Sequence, residues 1–250
     1  MSEVLDELVG LVQSARRCVL FSGAGISTDC GVPDFRSPNG LWTQFRPIPF
    51  ADFLKSPETR LEAWRRYFII HAAFSDAVPG PAHRAVADLV AKGRVHTIIT
   101  QNIDDLHRRA GVEADRIIEV HGNGTFAKCL SCGRRHELDW VREEIAQTNQ
   151  VPACLECGGL VKSATISFGQ PMPDAEMAAA RAATLDSDLF LAVGSSLQVY
   201  PASGLPIIAK HNRAKLVIIN REPTPLDSFS DLAIHAELGE TLNHVVQRLV

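Results

Sequence analysis

Cys18-Val-Leu-Phe-Ser22, followed at once by Gly23-Ala-Gly25-Ile-Ser-Thr28, decides how the rest of this 250-residue chain is read. A short uncharged apolar run closed by glycines has the form of a buried strand entering a tight turn. Comparable runs recur at Val95–Thr100, Arg116–Val120, Leu189–Val193 and Lys215–Ile219, each rich in β-branched residues and separated by helix-like stretches. An amphipathic helix over 3–16, with Val4, Leu5, Leu8, Leu11 and Val12 at helical spacing, precedes the first. This alternation predicts an α/β fold, a Rossmann-like parallel sheet covered by helices on both faces. Ligands of such sheets bind beyond the carboxyl ends of the strands, so those ends are where function is sought.

Two stretches break the alternation. Residues 38–80 are aromatic and proline-punctuated, then helical from about Glu58 to Phe74. Residues 123–162 hold two Cys-x-x-Cys pairs around a polar helix near Trp140 to Gln147. Both read as insertions that build a smaller zinc-ribbon and helical lobe, leaving 1–37, 81–122 and 163–250 to the cofactor-binding unit. A lobe inserted at the strand ends would create a cleft.

Composition narrows the function classes. Hydrophobic residues at 46% and charged residues at 22% exclude disordered and low-complexity chains. Twenty-five Lys+Arg against 29 Asp+Glu, a net charge of −4, lack the footprint of a dedicated nucleic-acid binder. No apolar run approaches the ~20 residues that cross a bilayer, and the acidic start Met1-Ser-Glu-Val-Leu-Asp-Glu is unlike an export signal. A reducing, cytoplasmic setting is expected, without a membrane partner. The oligomeric state is not encoded in any pattern.

Cys129-x-x-Cys132 and Cys154-x-x-Cys157 are separated by residues 133–153, and each pair ends in a glycine suited to a tight knuckle (Gly133, Gly158). Four thiolates close tetrahedral zinc completely and leave no place for a reacting water, so the metal is expected to be structural. A redox dithiol or buried thiols would not require two pairs in register. Gly23-Ala-Gly25 suits a dinucleotide-binding turn whose glycines let backbone amides approach a pyrophosphate, but Thr28 stands where the usual fingerprint has its third glycine. An ordinary strand turn explains it as well.

Polar residues follow the other strands. Gln101-Asn102-Ile103-Asp104 comes after Thr100, His121-Gly122 after Val120, Gly194-Ser195-Ser196 after Val193 and Asn220 after Ile219. Helix capping would explain Asn102 or Asp104 individually. A histidine at a strand end is commonly structural, yet its ordinary pKa near neutrality also suits a general base. Ligand-competent residues at the ends of five strands favour a site.

These motifs, with Gly31-Val-Pro-Asp-Phe-Arg-Ser37, Ser167-Phe-Gly169 and Gly194-Ser-Ser-Leu197, occur in the order of the sirtuin family, and the resemblance spans about Leu5 to Val250. Trp64–Phe68 through Pro81-Ala-His83 most resembles the class II, mitochondrial-type and bacterial members. The resemblance implies NAD-dependent removal of acyl groups from protein lysines, with NAD as co-substrate and one structural zinc. It implies that Gly23, Ala24, Gly25, Thr28, Asp34, Phe35, Arg36 and Trp42 line the NAD loop. Gln101 and Asn102 would face the nicotinamide ribose, and Ile103 and Asp104 the nicotinamide amide. Gly194, Ser195, Ser196, Asn220, Arg221, Glu222 and the backbone of Leu238 would bind the adenosine half. His121 would be the catalytic base, with Asn102 beside it, and Ile166, Phe168 and Val199 would hold the acyl-lysine. In the implied reaction the acyl oxygen captures the anomeric carbon as nicotinamide leaves, His121 deprotonates a ribose hydroxyl, and free lysine and O-acyl-ADP-ribose result.

The chain departs from the family where the substrate peptide would lie: Ser163-Ala164 replace a proline and an acidic or polar residue, and Gln170 replaces an acid. Tyr67 and Tyr200 are followed at the third position by Ile70 and Ser203, so the Tyr-x-x-Arg pair of succinyl-preferring sirtuins is missing. Acetyl and longer uncharged acyl groups are therefore expected. Two other readings remain: mono-ADP-ribosyl transfer or NAD hydrolysis in the same pocket, and a zinc-ribbon binding module without catalysis.

Overall fold

The computed structural model describes residues 2–34, 40, 43 and 46–249. In chain order the elements are α1 (Ser2–Ser14), β1 (Cys18–Ser22), α2 (Phe50–Lys55), α3 (Pro57–Ser75), α4 (Pro81–Ala91), β2 (Thr97–Thr100), α5 (Leu106–Arg109) and β3 (Ile117–Glu119). They continue with β4 (Gly122–Cys129), β5 (Arg135–His136), α6 (Leu138–Thr148), β6 (Val161–Thr165), α7 (Asp174–Asp186), β7 (Leu189–Val193), α8 (Leu205–His211), β8 (Lys215–Ile219), β9 (Leu232–Ile234) and α9 (Leu238–Arg248). A 3₁₀ turn, Ala24–Cys30, follows β1.

Six strands form one parallel sheet in the order β3-β2-β1-β7-β8-β9. Every residue of β1 and β7 is buried, which is why these strands read as unbroken apolar runs. Alternate side chains serve opposite faces. Leu20, Leu191 and Val217 pack with Leu8, Val12, Val86, Leu89, Leu242 and Val245 of α1, α4 and α9. Phe21, Phe190 and Ile218 pack on the other face with Ala180, Leu205 and Ala209 of α7 and α8. The strand order reverses between β1 and β7, and that switch point sets the place of a ligand cleft.

A second sheet, β5-β4-β6, is antiparallel. Its core joins Ala127, Cys129, Cys154 and Val161 to Leu138 and Val141 of α6 and to Trp64 and Tyr67 of α3. Helix α3 begins sharply because Pro57 sits in its first turn and the Ser56 hydroxyl accepts the Thr59 N–H at 3.2 Å. No helix among the described residues is long and apolar enough to cross a membrane.

Candidate active site

The turns after β1 and β7 interlock. The Gly23 N–H donates to the Val193 carbonyl at 3.1 Å and the Gly25 N–H to the Gly194 carbonyl at 2.8 Å. A Cβ on Gly23 would lie 2.8 Å from Gly194 O and from Ser195 Cβ, and one on Gly25 would lie 2.8 Å from Gly194 Cα. Gly194, at φ +59°, would carry its own Cβ 2.5 Å from the Ile26 nitrogen. The close approach these glycines make here is therefore between two turns, and the Gly25 amide is already committed to Gly194.

Beneath the cleft lies a buried polar layer. Asn102 Nδ2 donates to Ser27 Oγ at 3.2 Å, and Ser27 Oγ donates to Asp104 Oδ2 at 2.7 Å. The other Asp104 oxygen accepts the Leu106 N–H at 3.0 Å. Burial pushes the Asp104 carboxyl above the usual carboxylate range, against the pull of these hydrogen bonds. Ser22 Oγ meets Thr100 Oγ1 and His107 Nε2, each at 2.8 Å. His83 and His107 stack edge to face at 5.2 Å between ring centres, and burial pulls them down to about 4 and about 3. They stay neutral and structural near pH 7. The layer fixes Asn102 by hydrogen bonds on both sides, because its backbone N–H also meets Thr100 Oγ1 at 3.1 Å.

Gln101 bridges the two sides of the switch point: its Nε2 donates to Ser195 Oγ at 2.8 Å, and its carbonyl oxygen lies 3.0 Å from His121 Nδ1. A carbonyl can only accept, so the proton sits on Nδ1 and Nε2 is the basic nitrogen of His121. The His121 carbonyl accepts the Ile166 N–H at 2.9 Å, which ties the histidine to the segment leading into Ser167-Phe-Gly169. Gln170 Oε1 accepts the Ser167 N–H at 3.2 Å and the Phe168 carbonyl accepts the Phe50 N–H at 2.9 Å, so that turn is held from both ends.

A cleft of about 860 Å³ runs across these groups, within the range of ~300–1,000 Å³ common for cofactor sites. It brings together Gly23, Ala24, Gly25, Thr28, Asp34, Gln101, Asn102, Ile103, His121, Gly194, Ser195, Ser196, Asn220, Arg221, Glu222 and Leu238, with Ile166, Phe168 and Val199 on the substrate side. Asp104 is set back from the cleft, behind Ser27 and Asn102. Phe35, Arg36 and Trp42 lie outside the described residues. Asp29, Met172 and Glu237 also line the cleft, and no motif singles them out. Glu237 pairs with Arg221 through two hydrogen bonds of 2.8 Å, a contact between residues far apart in the pattern.

The four cysteines converge. Their Sγ atoms all lie within 4.8 Å of one another, with Cys129–Cys157 at 3.5 Å and Cys132–Cys154 at 3.7 Å. Tetrahedral zinc with Zn–S bonds of ~2.3 Å places its sulfurs ~3.8 Å apart, so the cluster fits the ion. The knuckles close on Gly133 and Gly158, both at positive φ, whose N–H groups return to the Cys129 and Cys154 carbonyls. His136 Nε2 lies 3.3 Å from Cys154 Sγ and its ring stacks on Trp140, which anchors the cluster to α6.

A cleft at the switch point of a parallel sheet, beside a four-cysteine lobe, defines an α/β nucleotide-binding protein with an inserted metal ribbon. The Sir2 family model matches residues 23–201, and the chain belongs to that family. It is 50% identical over 242 residues to NAD-dependent protein deacetylase 1 of Bradyrhizobium diazoefficiens, covering 97% of this chain and 95% of that one. It is also 50% identical over 246 residues to the NAD-dependent protein deacetylase of Rhodopseudomonas palustris, covering 98% and 97%. Among solved structures, a histidine-to-alanine Sir2 variant with a deacetylated p53 peptide and 3′-O-acetyl ADP-ribose matches at a TM-score of 0.89 and 32% identity, covering 97% of each chain.

Proposed function

We propose that the chain is an NAD-dependent protein-lysine deacetylase that takes acetylated proteins or peptides as substrates, releasing nicotinamide and O-acetyl-ADP-ribose. The observation that carries this is the convergence of His121, Gln101 and Asn102 on one cleft at the switch point, in a chain half identical to two such enzymes over nearly its whole length. NAD, when bound, supplies the ribosyl carbon that accepts the acyl oxygen. His121 Nε2 takes a proton from a ribose hydroxyl, with the Gln101 carbonyl holding its ring and tautomer. Asn102 orients the ribose, and its fixed position lowers the cost of reaching a reactive geometry. Gly194, Ser195, Asn220 and Leu238 hold the adenosine half, and Asp104 acts through Ser27 and Asn102. The acyl-lysine enters between Phe168 and Val199, its peptide adding as a strand along 167–169 and 197–201.

Cys129, Cys132, Cys154 and Cys157 hold one zinc whose role is to fold the small lobe. Residues 1–37, 81–122 and 163–250 form the cofactor-binding unit, and 38–80 with 123–162 the lobe beside it. A cytoplasmic setting suits a chain whose six cysteines form no disulfide. Incubation with NAD and an acetyl-lysine peptide tests the reading by mass spectrometry. Loss of the acetyl mass from the peptide is expected, whereas a mass gain on protein would mark ADP-ribosyl transfer. A neighbour solved with deacetylated peptide and acetylated ADP-ribose favours the first outcome.

A further inference from the structure

A second cavity of about 160 Å³ adjoins the cleft. The two share Pro47, Ile48, Tyr67, Ile70, Thr165 and Ser167, so they adjoin along a wall whose Thr165 and Ser167 flank Ile166 on the substrate side of the larger. Beyond that shared wall the smaller cavity is lined by Phe53, Ala63 and Trp64 and by three cations, Arg46, Arg66 and Lys162, and none of its described lining residues is acidic. Arg66 is met by Glu62 at 2.6 Å and stands partly exposed. Lys162 is different. It is only 4% exposed, and its Nζ donates to the carbonyls of Thr165 at 2.6 Å and Ser163 at 3.3 Å.

An ammonium has three donors, and two carbonyls use two of them. No carboxylate among the described residues pairs with Lys162. Tying down the end of β6 would explain the two carbonyl bonds, but a neutral donor serves that purpose without burying a charge. Burial pulls the Lys162 ammonium down to about 7. A lysine amine buried without a counter-charge, beside an apolar wall of Ile48, Phe53 and Trp64, fits a ligand with a negative head, which would favour its protonated form, on a short hydrocarbon stem.

We propose that the side cavity is a subsite for an aliphatic carboxylate, its stem packed on Phe53, Trp64 and Ile48 and its carboxylate bound by Lys162. The carboxylate can come from two sources, the far end of an acyl group carried on lysine or a free short-chain carboxylic acid. The first source rests on the deacylase reading; the second does not. Lys162 lines the side cavity and not the cleft, so the acyl group proposed is one long enough to pass from the cleft into the side cavity, and a six-carbon diacid-derived chain is the probe.

The test compares adipoyl-lysine and hexanoyl-lysine peptides of one sequence, in wild type, Lys162→Met and Ala63→Phe. Ala63→Phe takes up space in the cavity while leaving residue 162 a lysine, and serves if Lys162→Met fails to fold. Acetyl-lysine turnover is measured alongside, and binding of free hexanoate by ligand-observed NMR. In wild type, adipoyl kcat/KM is expected to match or exceed hexanoyl. Lys162→Met should lower the adipoyl-to-hexanoyl ratio about thirtyfold or more, the low end of the scale for losing one partner of a buried charge pair, and Ala63→Phe should slow both long chains while acetyl turnover persists. Hexanoate binding lost in either variant, without discrimination among peptides, assigns the subsite to free acids. Adipoyl turnover far below hexanoyl in wild type, together with no hexanoate binding, overturns the proposal. Absent acetyl turnover in wild type would instead sink the deacylase reading, leaving the hexanoate measurement to decide the subsite.

Discussion

Gly25→Ala separates two physical roles for the glycine turn. If the glycines serve close approach to a phosphate, an added methyl harms cofactor binding and leaves the free protein intact. The structure assigns the space differently: the new Cβ would lie 2.8 Å from both Cα and O of Gly194, backbone atoms that cannot rotate away. The Gly25 backbone lies outside the left-handed region, so an alanine is not strained by its own φ and the cost is overpacking alone. Overpacking of this kind costs about 1–3 kcal/mol. For a chain of this size each kcal/mol is worth about 2–4 °C, so Tm should fall on the order of 5 °C. Gly10→Ala is the control. Gly10 sits exposed within α1 with nothing within 4 Å of an added Cβ, so alanine should stabilise by about 0.5–1 kcal/mol. Both variants are followed by thermal unfolding without NAD and by KM for NAD. A tenfold rise in KM for Gly25→Ala with an unchanged Tm would refute the interlock and restore the phosphate role.

Four further outcomes are expected. Cys154→Ser should release the metal and unfold the small lobe, since structural zinc is worth on the order of 10 kcal/mol; elemental analysis finding less than one zinc per folded, active wild-type chain would remove the site. His121→Ala should nearly abolish deacetylation while retaining NAD binding and some nicotinamide exchange, whereas Asn102→Ala should damage both steps; wild-type turnover in folded His121→Ala would end the base assignment. A succinyl peptide should show kcat/KM about tenfold or more below its acetyl counterpart, because Ile70 offers no charge to a short carboxylate in the cleft; the reverse order would overturn this. His83 and His107 have folded values of about 4 and about 3 against an ordinary 6.5. The unfolded chain therefore takes up protons first as pH falls below 6.5, and stability present above that pH is lost at up to about 1.4 kcal/mol per pH unit for each histidine. A Tm constant from pH 7 to 5 would contradict their burial as neutral groups.

The parallel sheet was legible because its central strands are buried on both faces, which leaves uninterrupted apolar runs in the sequence. Leu232–Ile234 escaped that signal: β9 is three residues long at the sheet edge, and its pairing with β8 is specified by tertiary position. Strands β4 and β6 escaped it for another reason. Gly122–Cys129 mixes polar and small residues, and only pairing to Val161–Thr165 and packing against Trp64 reveal it as a strand. The cysteine pairs announced themselves because metal geometry demands fixed local spacing. Lys162 carried no such mark, since a lysine in a polar stretch reads as solvated until the cavity beside it is seen.

The same distinction explains how the lobe bears on the cleft. Trp64 and Tyr67 pack with Cys129 and Cys154 in one hydrophobic cluster, and the Tyr67 hydroxyl donates to the Gly124 carbonyl. Tyr67 also lines the cleft and the side cavity. Trp64 and Tyr67, three residues apart on one face of α3, thus touch both the cysteine cluster and the wall of the side cavity. None of the four cysteines lines the cleft or the side cavity, yet part of the side-cavity wall, Trp64 and Tyr67, is positioned by the core that holds Cys129 and Cys154. Conservative changes in that core, such as Val161→Ala, would act first on chain-length preference, because they move the cavity wall without touching His121, Asn102 or the turns that hold the nucleotide.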